Sequence, residues 1–382
     1  MYILTSDFDS LLRKFLQFGS IAGTCTTDAL VEMVHQWYQA TDSHSTRVRI
    51  LLLDYSKAFD LINHELLISK LEAIGVPAHL VRWMTAFLLD RHHRVRIGDV
   101  LSDSGSPNGG VPQGTLSGPK NFLVHINDLT TPCPTYKYVD DSTIFEICGP
   151  GTVSKLQDSA NIACQWSRDN DMKINASKTH ELLIDFTRDQ MNSRSLQNIN
   201  IDGVVIQRTD SAKILGVTIS SDLTWNIHVK NIVSKASKRV YMLYQLKRSG
   251  IDQKDLITIY LSVIRPVLEY ACPVWSTNLP AYLSDKIEMI QKRVMRTIYP
   301  GMSYVDILKR VDIEPLNSRR DEICKKYFNE MKREDHKLHH LLPATRNMQY
   351  DLRSCHKYPL TKCRTSRYKN SLIPWCLSYC QS

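Results

Sequence analysis

The sequence predicts a mixed α+β region up to about residue 220 and an all-helical region after it. Three observations carry this. Residues 48–56, VRILLLDYS, form a continuous apolar run ending in polar residues, as a buried strand does. Residues 137–145, KYVDDSTIF, set two acids between β-branched and aromatic neighbours, the pattern of a tight hairpin with a polar tip. Beyond residue 225 the pattern changes to long, basic, amphipathic stretches.

The elements follow in order. After the strand at 48–56, Asn63 is placed to cap HELLISKLEAIGV, whose helical spacing stops at Gly75 ahead of Pro77. AHLVRWMTAFLLD reads as a second helix. HRVRIGDVLSDSGSPNGGVPQG alternates and breaks on Gly, Pro and Asn, so short strands and a loop are expected. LSGPKNFLVHINDL reads as a helix entered near Pro119. The hairpin carries Asp140 and Asp141 at its tip; TVSKLQDSANIACQWSRDNDMKIN is helical, and THELLIDF and AKILGVTIS read as further strands. WNIHVKNIVSKASKRVYMLYQLKR, DQKDLITIYLSVIRPVLEYACPVW and LSDKIEMIQKRVMRTIY are three long helices, and the tail beyond about residue 336 reads as irregular.

Charge divides the chain in the same place. Residues 1–225 carry 20 Lys/Arg against 25 Asp/Glu, a net of −5; residues 226–382 carry 28 against 14, a net of +14. An acidic half beside a basic half suggests carboxylate chemistry next to a polyanion-binding surface, or alternatively a solvated basic helical face. The start lacks the basic-then-apolar order of a secretory signal, and no apolar run is expected to approach the ~18–20 residues of a membrane span. The ten cysteines show no small-domain disulfide spacing and are expected as reduced thiols. The expectation is an intracellular protein, in cytoplasm or nucleus, neither secreted nor in a membrane.

Asp54 closes the buried strand, where a carboxylate needs a reason to exist. If that strand lies beside the hairpin, Asp54, Asp140 and Asp141 converge on one sheet edge. Three carboxylates there call for a hard, oxygen-liganded cation such as Mg²⁺. Two such ions about 3.5–4 Å apart would activate a primer 3′-hydroxyl and stabilise the leaving pyrophosphate; Mn²⁺ has the same ligand preference. Clustered carboxylates alone also suit a Mg²⁺-dependent nuclease or phosphotransferase.

The ordered segments QFGSIAGTCTTDAL, LLLDYSKAFDLINHELL, GGVPQGTLSGPKNFLVHINDL, YVDDST, MKINASKT and ILGVTIS resemble the consecutive motifs of reverse transcriptases, with the non-LTR (LINE-type, jockey-like) retrotransposon enzymes the nearest subgroup. The resemblance spans about residues 17–300. It implies a right-hand polymerase: an α+β palm, an antiparallel sheet with packed helices, over 48–222, partial fingers over 1–47, a helical thumb over 223–300, and a basic helical C-terminal region with an irregular tail over 301–382. It implies an RNA-directed DNA polymerase that takes an RNA template, a DNA primer, dNTPs and two Mg²⁺ ions.

Carried onto this chain, Asp54, Asp140 and Asp141 become the catalytic, metal-holding set. Tyr55, Phe59, Gln113, Gly114 and Lys178 become nucleotide-binding: Phe59 as the gate against a ribose 2′-hydroxyl or else a core aromatic, Gln113 and Gly114 as the pocket-lining PQG element or else a plain loop. Lys178 would approach the triphosphate or stay solvated. Tyr138 would stack near the primer end or serve as a strand aromatic. Lys230, Lys235, Lys238 and Arg239 would track a phosphate backbone or form a solvated helix face. Asp60 is read as a cap or loop contact, outside the catalytic set.

The chain departs from the family pattern at 19–25, GSIAGTC, where basic residues are expected and none stands. With only 16 residues ahead of the first motif and no endonuclease, it reads as an N-terminally truncated open reading frame, a relic copy with its palm motifs intact. The alternative function is an inactive nucleic-acid-binding remnant. Cys355, His356, Cys363, Cys376 and Cys380 have no recognised zinc spacing and are expected to be unliganded, the cysteines as free thiols, in a disordered tail.

Overall fold

A computed structural model describes residues 16–43, 45–89, 91–112, 114–187, 196–345 and 358–379. Gln113, Cys355, His356 and Cys380 lie outside them. The chain forms two compact units that interleave in sequence: residues 1–29, 46–183 and 187–210 in the first, and residues 30–45, 184–186 and 211–382 in the second.

The first unit is built on strands β1 (Arg47–Leu53), β4 (Thr135–Tyr138), β5 (Asp141–Cys148), β6 (His180–Asp185) and β9 (Gln207–Thr209), in the order β4-β5-β1-β6-β9. β5 pairs antiparallel with both β4 and β1, and β6 and β9 run parallel. β1 is therefore central and mostly buried, which is why its sequence is an unbroken apolar run rather than an alternation. Its buried cation, Arg49, is neutralised. Its Nε lies 2.7 Å from Glu181 Oε1, whose second oxygen meets Arg208 Nε at 3.2 Å.

Leu51, Leu53 and Ile144 point to the face covered by helices Ser117–Asn127 and Leu156–Asp169, in one apolar cluster with Phe122, Leu123, Ile126, Leu156 and Ala160. Helices His64–Ala73 and Ala78–Leu88 join the same cluster through Leu67, Leu71, Val81 and Met84. Asn63 caps the first of these, accepting from the Glu65 and Leu66 N–H groups at 2.9 and 3.2 Å. β2 (Arg96–Ile97) and β3 (Val100–Leu101) form the short hairpin expected before the glycine-rich loop, and β7 (Asn200–Ile201) with β8 (Val204–Val205) form another that the sequence reading missed.

In the second unit AKILGVTIS is a hairpin rather than one strand. β10 (Ser211–Ile214) returns as β11 (Val217–Ser220) through Leu215-Gly216, both at positive φ (44° and 88°), as a type I′ turn requires. Helices Asn226–Arg248 and Ala281–Ile298 match expectation. The stretch between them is broken: Gln253–Ile259, a π turn at Tyr260–Ile264, Arg265–Glu269, then Cys272–Trp275 after Ala271 at φ 50°. By length and composition Gln253–Asn278 would cross a membrane, against the expectation that no run comes near that length. In the fold it buries Leu256, Tyr260, Ile264, Leu268 and Trp275, and carries the Arg319–Glu269 ion pair at 2.6 Å.

The C-terminal tail is not irregular where it is described. Ser366–Lys369 and Leu372–Tyr379 are helical, and Tyr368, Leu372, Ile373, Cys376 and Leu377 are buried. Asp42 anchors this segment, accepting from the Arg364 and Thr365 N–H groups at 2.8 Å each and from Thr365 Oγ1 at 2.7 Å.

Candidate active site

The β1–β5 register ends at Leu53↔Ser142, so Asp54 leaves β1 at the edge where β5 begins with Asp141. The β4–β5 register ends at Tyr138↔Asp141, leaving Val139 and Asp140 as a two-residue turn. Facing residues share a side of a sheet, so Asp54, Tyr138 and Asp141 take the face opposite the helix-covered one, with exposed Asp140 beside them at the tip. Burial and the neighbouring carboxylates of Asp140 and Asp54 raise the Asp141 carboxyl above its ordinary value.

Asp54 is bracketed by the segment MKINASKT. Its N–H donates to Thr179 Oγ1 at 3.3 Å, and its carbonyl accepts from the Asn175 N–H at 2.7 Å. The Asn175–Lys178 turn therefore sits against Asp54 and carries exposed Lys178. Phe59 is half-buried and stacks on Phe122 with ring centroids 4.7 Å apart, while Tyr55 is buried edge-on against Trp166, so its ring faces the core rather than a ligand. The loop before Gly114 is laced to the Phe59 segment: Val111 N–H to the Phe59 carbonyl at 3.0 Å and Gly110 N–H to the Ile62 carbonyl at 2.8 Å. Gly114 itself is exposed at φ 81°, with nothing within 4 Å of a Cβ placed there. Its backbone conformation, rather than crowding, selects glycine.

An open cleft of about 750 Å³ lies against this loop, lined by Asp60, Arg91, His92, His93 and residues 109–112. Its basic wall was not singled out from sequence, although the run RHHR announces it.

Two further groups support the hairpin and also escaped the sequence reading. Lys137 is buried in β4 and donates through Nζ to the carbonyls of Ile126, Asn127 and Leu129 at 3.2, 2.9 and 3.0 Å, capping the end of helix Ser117–Asn127. Burial lowers its pKa to about 8. Gln17 accepts three N–H groups on Oε1: Phe18 and Gly19 at 3.0 Å and Val139 at 3.3 Å.

Three carboxylates at one sheet edge suit a divalent metal as a donor set because they are hard oxygen ligands, and burial together with the Asp140 and Asp54 charges already raises Asp141. Among the described residues no three His, Cys, Asp or Glu side chains already close around one point. Cys376 is buried in the helical unit, its Sγ 3.9 Å from the Cys324 carbonyl. In that unit Lys230, Lys235 and Lys238 are exposed on helix Asn226–Arg248, whereas Arg239 donates to the Val263 carbonyl and ties the helix to its neighbour.

Comparison with known proteins gives these motifs a family. Residues 7–219 match the family described as reverse transcriptase (RNA-dependent DNA polymerase). The chain is 28% identical over 293 residues to a probable RNA-directed DNA polymerase from transposon X-element of Drosophila melanogaster, covering 74% of this chain and 31% of that protein. It is 25% identical over 342 residues to the RNA-directed DNA polymerase from mobile element jockey of the same species, covering 85% and 36%. The chain thus spans about a third of the length of the curated relatives it matches. Among solved structures, a telomerase from Candida albicans in complex with a TWJ fragment of telomeric RNA aligns at TM-score 0.44 and 11% identity, covering 81% of this chain and 58% of that one. On the family match, the chain belongs to the reverse transcriptases, and its relatives place it with the non-LTR, LINE-type enzymes of retrotransposons.

Proposed function

We propose that this chain extends a DNA primer on an RNA template with dNTPs, by a two-metal mechanism in which Asp54, Asp140 and Asp141 hold the ions. The observation that carries this is the register that ends β1 at Leu53 opposite Ser142 and β4 at Tyr138 opposite Asp141, so that Asp54, Asp140 and Asp141 follow at one sheet edge. Divalent ions bound there would lower the pKa of the primer 3′-hydroxyl and neutralise charge on the pyrophosphate leaving group. The chain's own residues do the holding and aiming. The β5 edge presents Asp141, the turn presents Asp140, and the backbone ties to Asn175 and Thr179 fix where Asp54 sits. In the same reading Lys178, on the turn tied to Asp54, faces the triphosphate, Phe59 and the 110–114 loop border the incoming sugar, and Tyr138 lies by the primer end. Exposed Lys230, Lys235 and Lys238 contact phosphates of the bound duplex, and the protein acts inside the cell.

Primer extension on a primed RNA template with Mg²⁺ tests the proposal. Asp140→Ala is expected to abolish extension while leaving salt-dependent nucleic-acid binding in place. If the purified chain extends no primed template with Mg²⁺ or Mn²⁺, the proposal is wrong. The second reading is nucleic-acid binding without synthesis. It is favoured by the absence of basic residues at 19–25 and by the lack, among the described residues, of a closed three-ligand group.

A further inference from the structure

We propose that Gln17 is a positioning residue for the catalytic turn: its side-chain oxygen clamps the Val139–Asp140 turn and so sets where Asp140 points. The activity arm of this proposal rests on the polymerase function proposed above.

Val139 lies at φ 59°, in the left-handed region that a β-branched side chain strongly disfavours. With one positive φ at the first central position, the turn has the pattern of type II′, where glycine is the usual occupant. Something outside the turn must hold it there, since strained backbone persists only when its surroundings over-determine it. Gln17 supplies that constraint. It is buried (1% exposed), and its Oε1 gathers the N–H groups of Phe18, Gly19 and Val139. Residues 16–18 run beside β4 as an added parallel edge: Lys137 N–H donates to the Leu16 carbonyl at 2.8 Å and Phe18 N–H to the Lys137 carbonyl at 2.9 Å. The Phe18 ring stacks on Tyr136.

Gly19 brings the strut into direct contact with the turn. A Cβ there would stand 2.5 Å from Val139 Cγ2 and 2.6 Å from Val139 N. The first motif of this chain thus carries no cation for template or nucleotide at 19–25; it braces the hairpin instead.

The test uses Gln17→Met, which keeps the side chain's bulk and removes the acceptor, and Val139→Gly, which lets the turn adopt positive φ without strain. Gln17→Met is expected to lower the maximal extension rate about 10- to 100-fold, with primer–template affinity changed less than about twofold. In the double variant the rate is expected to return to within about threefold of Val139→Gly alone, because the two changes act on one contact. Gly19→Ala reads the same contact from the other side and is expected to reproduce the rate loss even if Gln17→Met folds poorly. Mn²⁺ binding followed by electron paramagnetic resonance gives a readout independent of turnover, and Gln17→Met is expected to weaken it about tenfold, as displacement of one carboxylate ligand does.

Loss of primer–template affinity in place of rate, a loss that Val139→Gly does not relieve, or unchanged Mn²⁺ affinity would each overturn the clamp. A wild-type chain that binds Mn²⁺ through Asp140 but extends no primer refutes the polymerase function, and the Mn²⁺ comparison then decides the clamp by itself.

Discussion

Asp141 stands at the start of β5, with Asp140 beside it in the turn and the Asp54 charge acting on it from the end of β1. Its carboxyl is raised above the unfolded value, so ionising it opposes folding. In the absence of metal, stability falls as pH rises through the window from the ordinary carboxylate range, about 4, up to the raised folded value, and it stays lower above that window. Asp141→Asn is therefore expected to raise the thermal midpoint at pH 7 in chelator. The gain should vanish when carboxylates are protonated near pH 3.5, and Mg²⁺ should stabilise the wild type more than the variant; calorimetry with and without Mg²⁺ checks this. The acids were legible in the sequence because strand cores disfavour Asp. Thr179, Asn175 and Gln17 were not, because their role is a backbone hydrogen bond to a residue more than a hundred positions away, and ordinary polar residues carry no mark of such a partner.

Helix His64–Ala73 shows how far local chemistry reaches: a capping Asn63, an apolar face and a stop at Gly75 delimit it before any tertiary contact is known. β1 shows the opposite. Its run of Ile and Leu announces a buried strand, yet the Arg49 within it is tolerated only because β6 delivers Glu181 to within 2.7 Å. Removing one partner leaves a buried charge uncompensated, so Glu181→Gln is expected to cost about 3–5 kcal/mol in urea unfolding of the first unit. Replacing Arg49 and Glu181 together by apolar residues should cost markedly less. The two-residue strands β7 and β8 were missed because elements that short have no periodicity to read.

The second unit is closed by residues far apart in the chain. Asp42 takes three donors from Arg364 and Thr365, and although burial works against the charged form, these hydrogen bonds hold its carboxyl below the usual range. Stability from this contact is present above an unfolded carboxylate's pKa, about 4, and is lost as pH falls through the lower folded value. Asp42→Ala is expected to destabilise the helical unit by roughly 2 kcal/mol at pH 7, the worth of hydrogen bonds to a charged group, and by much less at pH 2; thermal melts at the two pH values check it. The tail looked irregular in sequence because its short helices, Ser366–Lys369 and Leu372–Tyr379, are held by burial of Tyr368, Ile373 and Cys376 rather than by their own propensity.

By itself the sequence determined the α+β-then-helical order and the family, and it singled out three carboxylates as candidates, because strand runs, paired acids and ordered motifs are local patterns. Only the tertiary structure decided that Asp54 comes to the sheet edge where β5 begins, that Gln17 accepts from the Val139 N–H, and that residues 30–45 belong with the helical unit. Those are matters of register and packing, where the partner that gives a residue its meaning lies elsewhere in the chain.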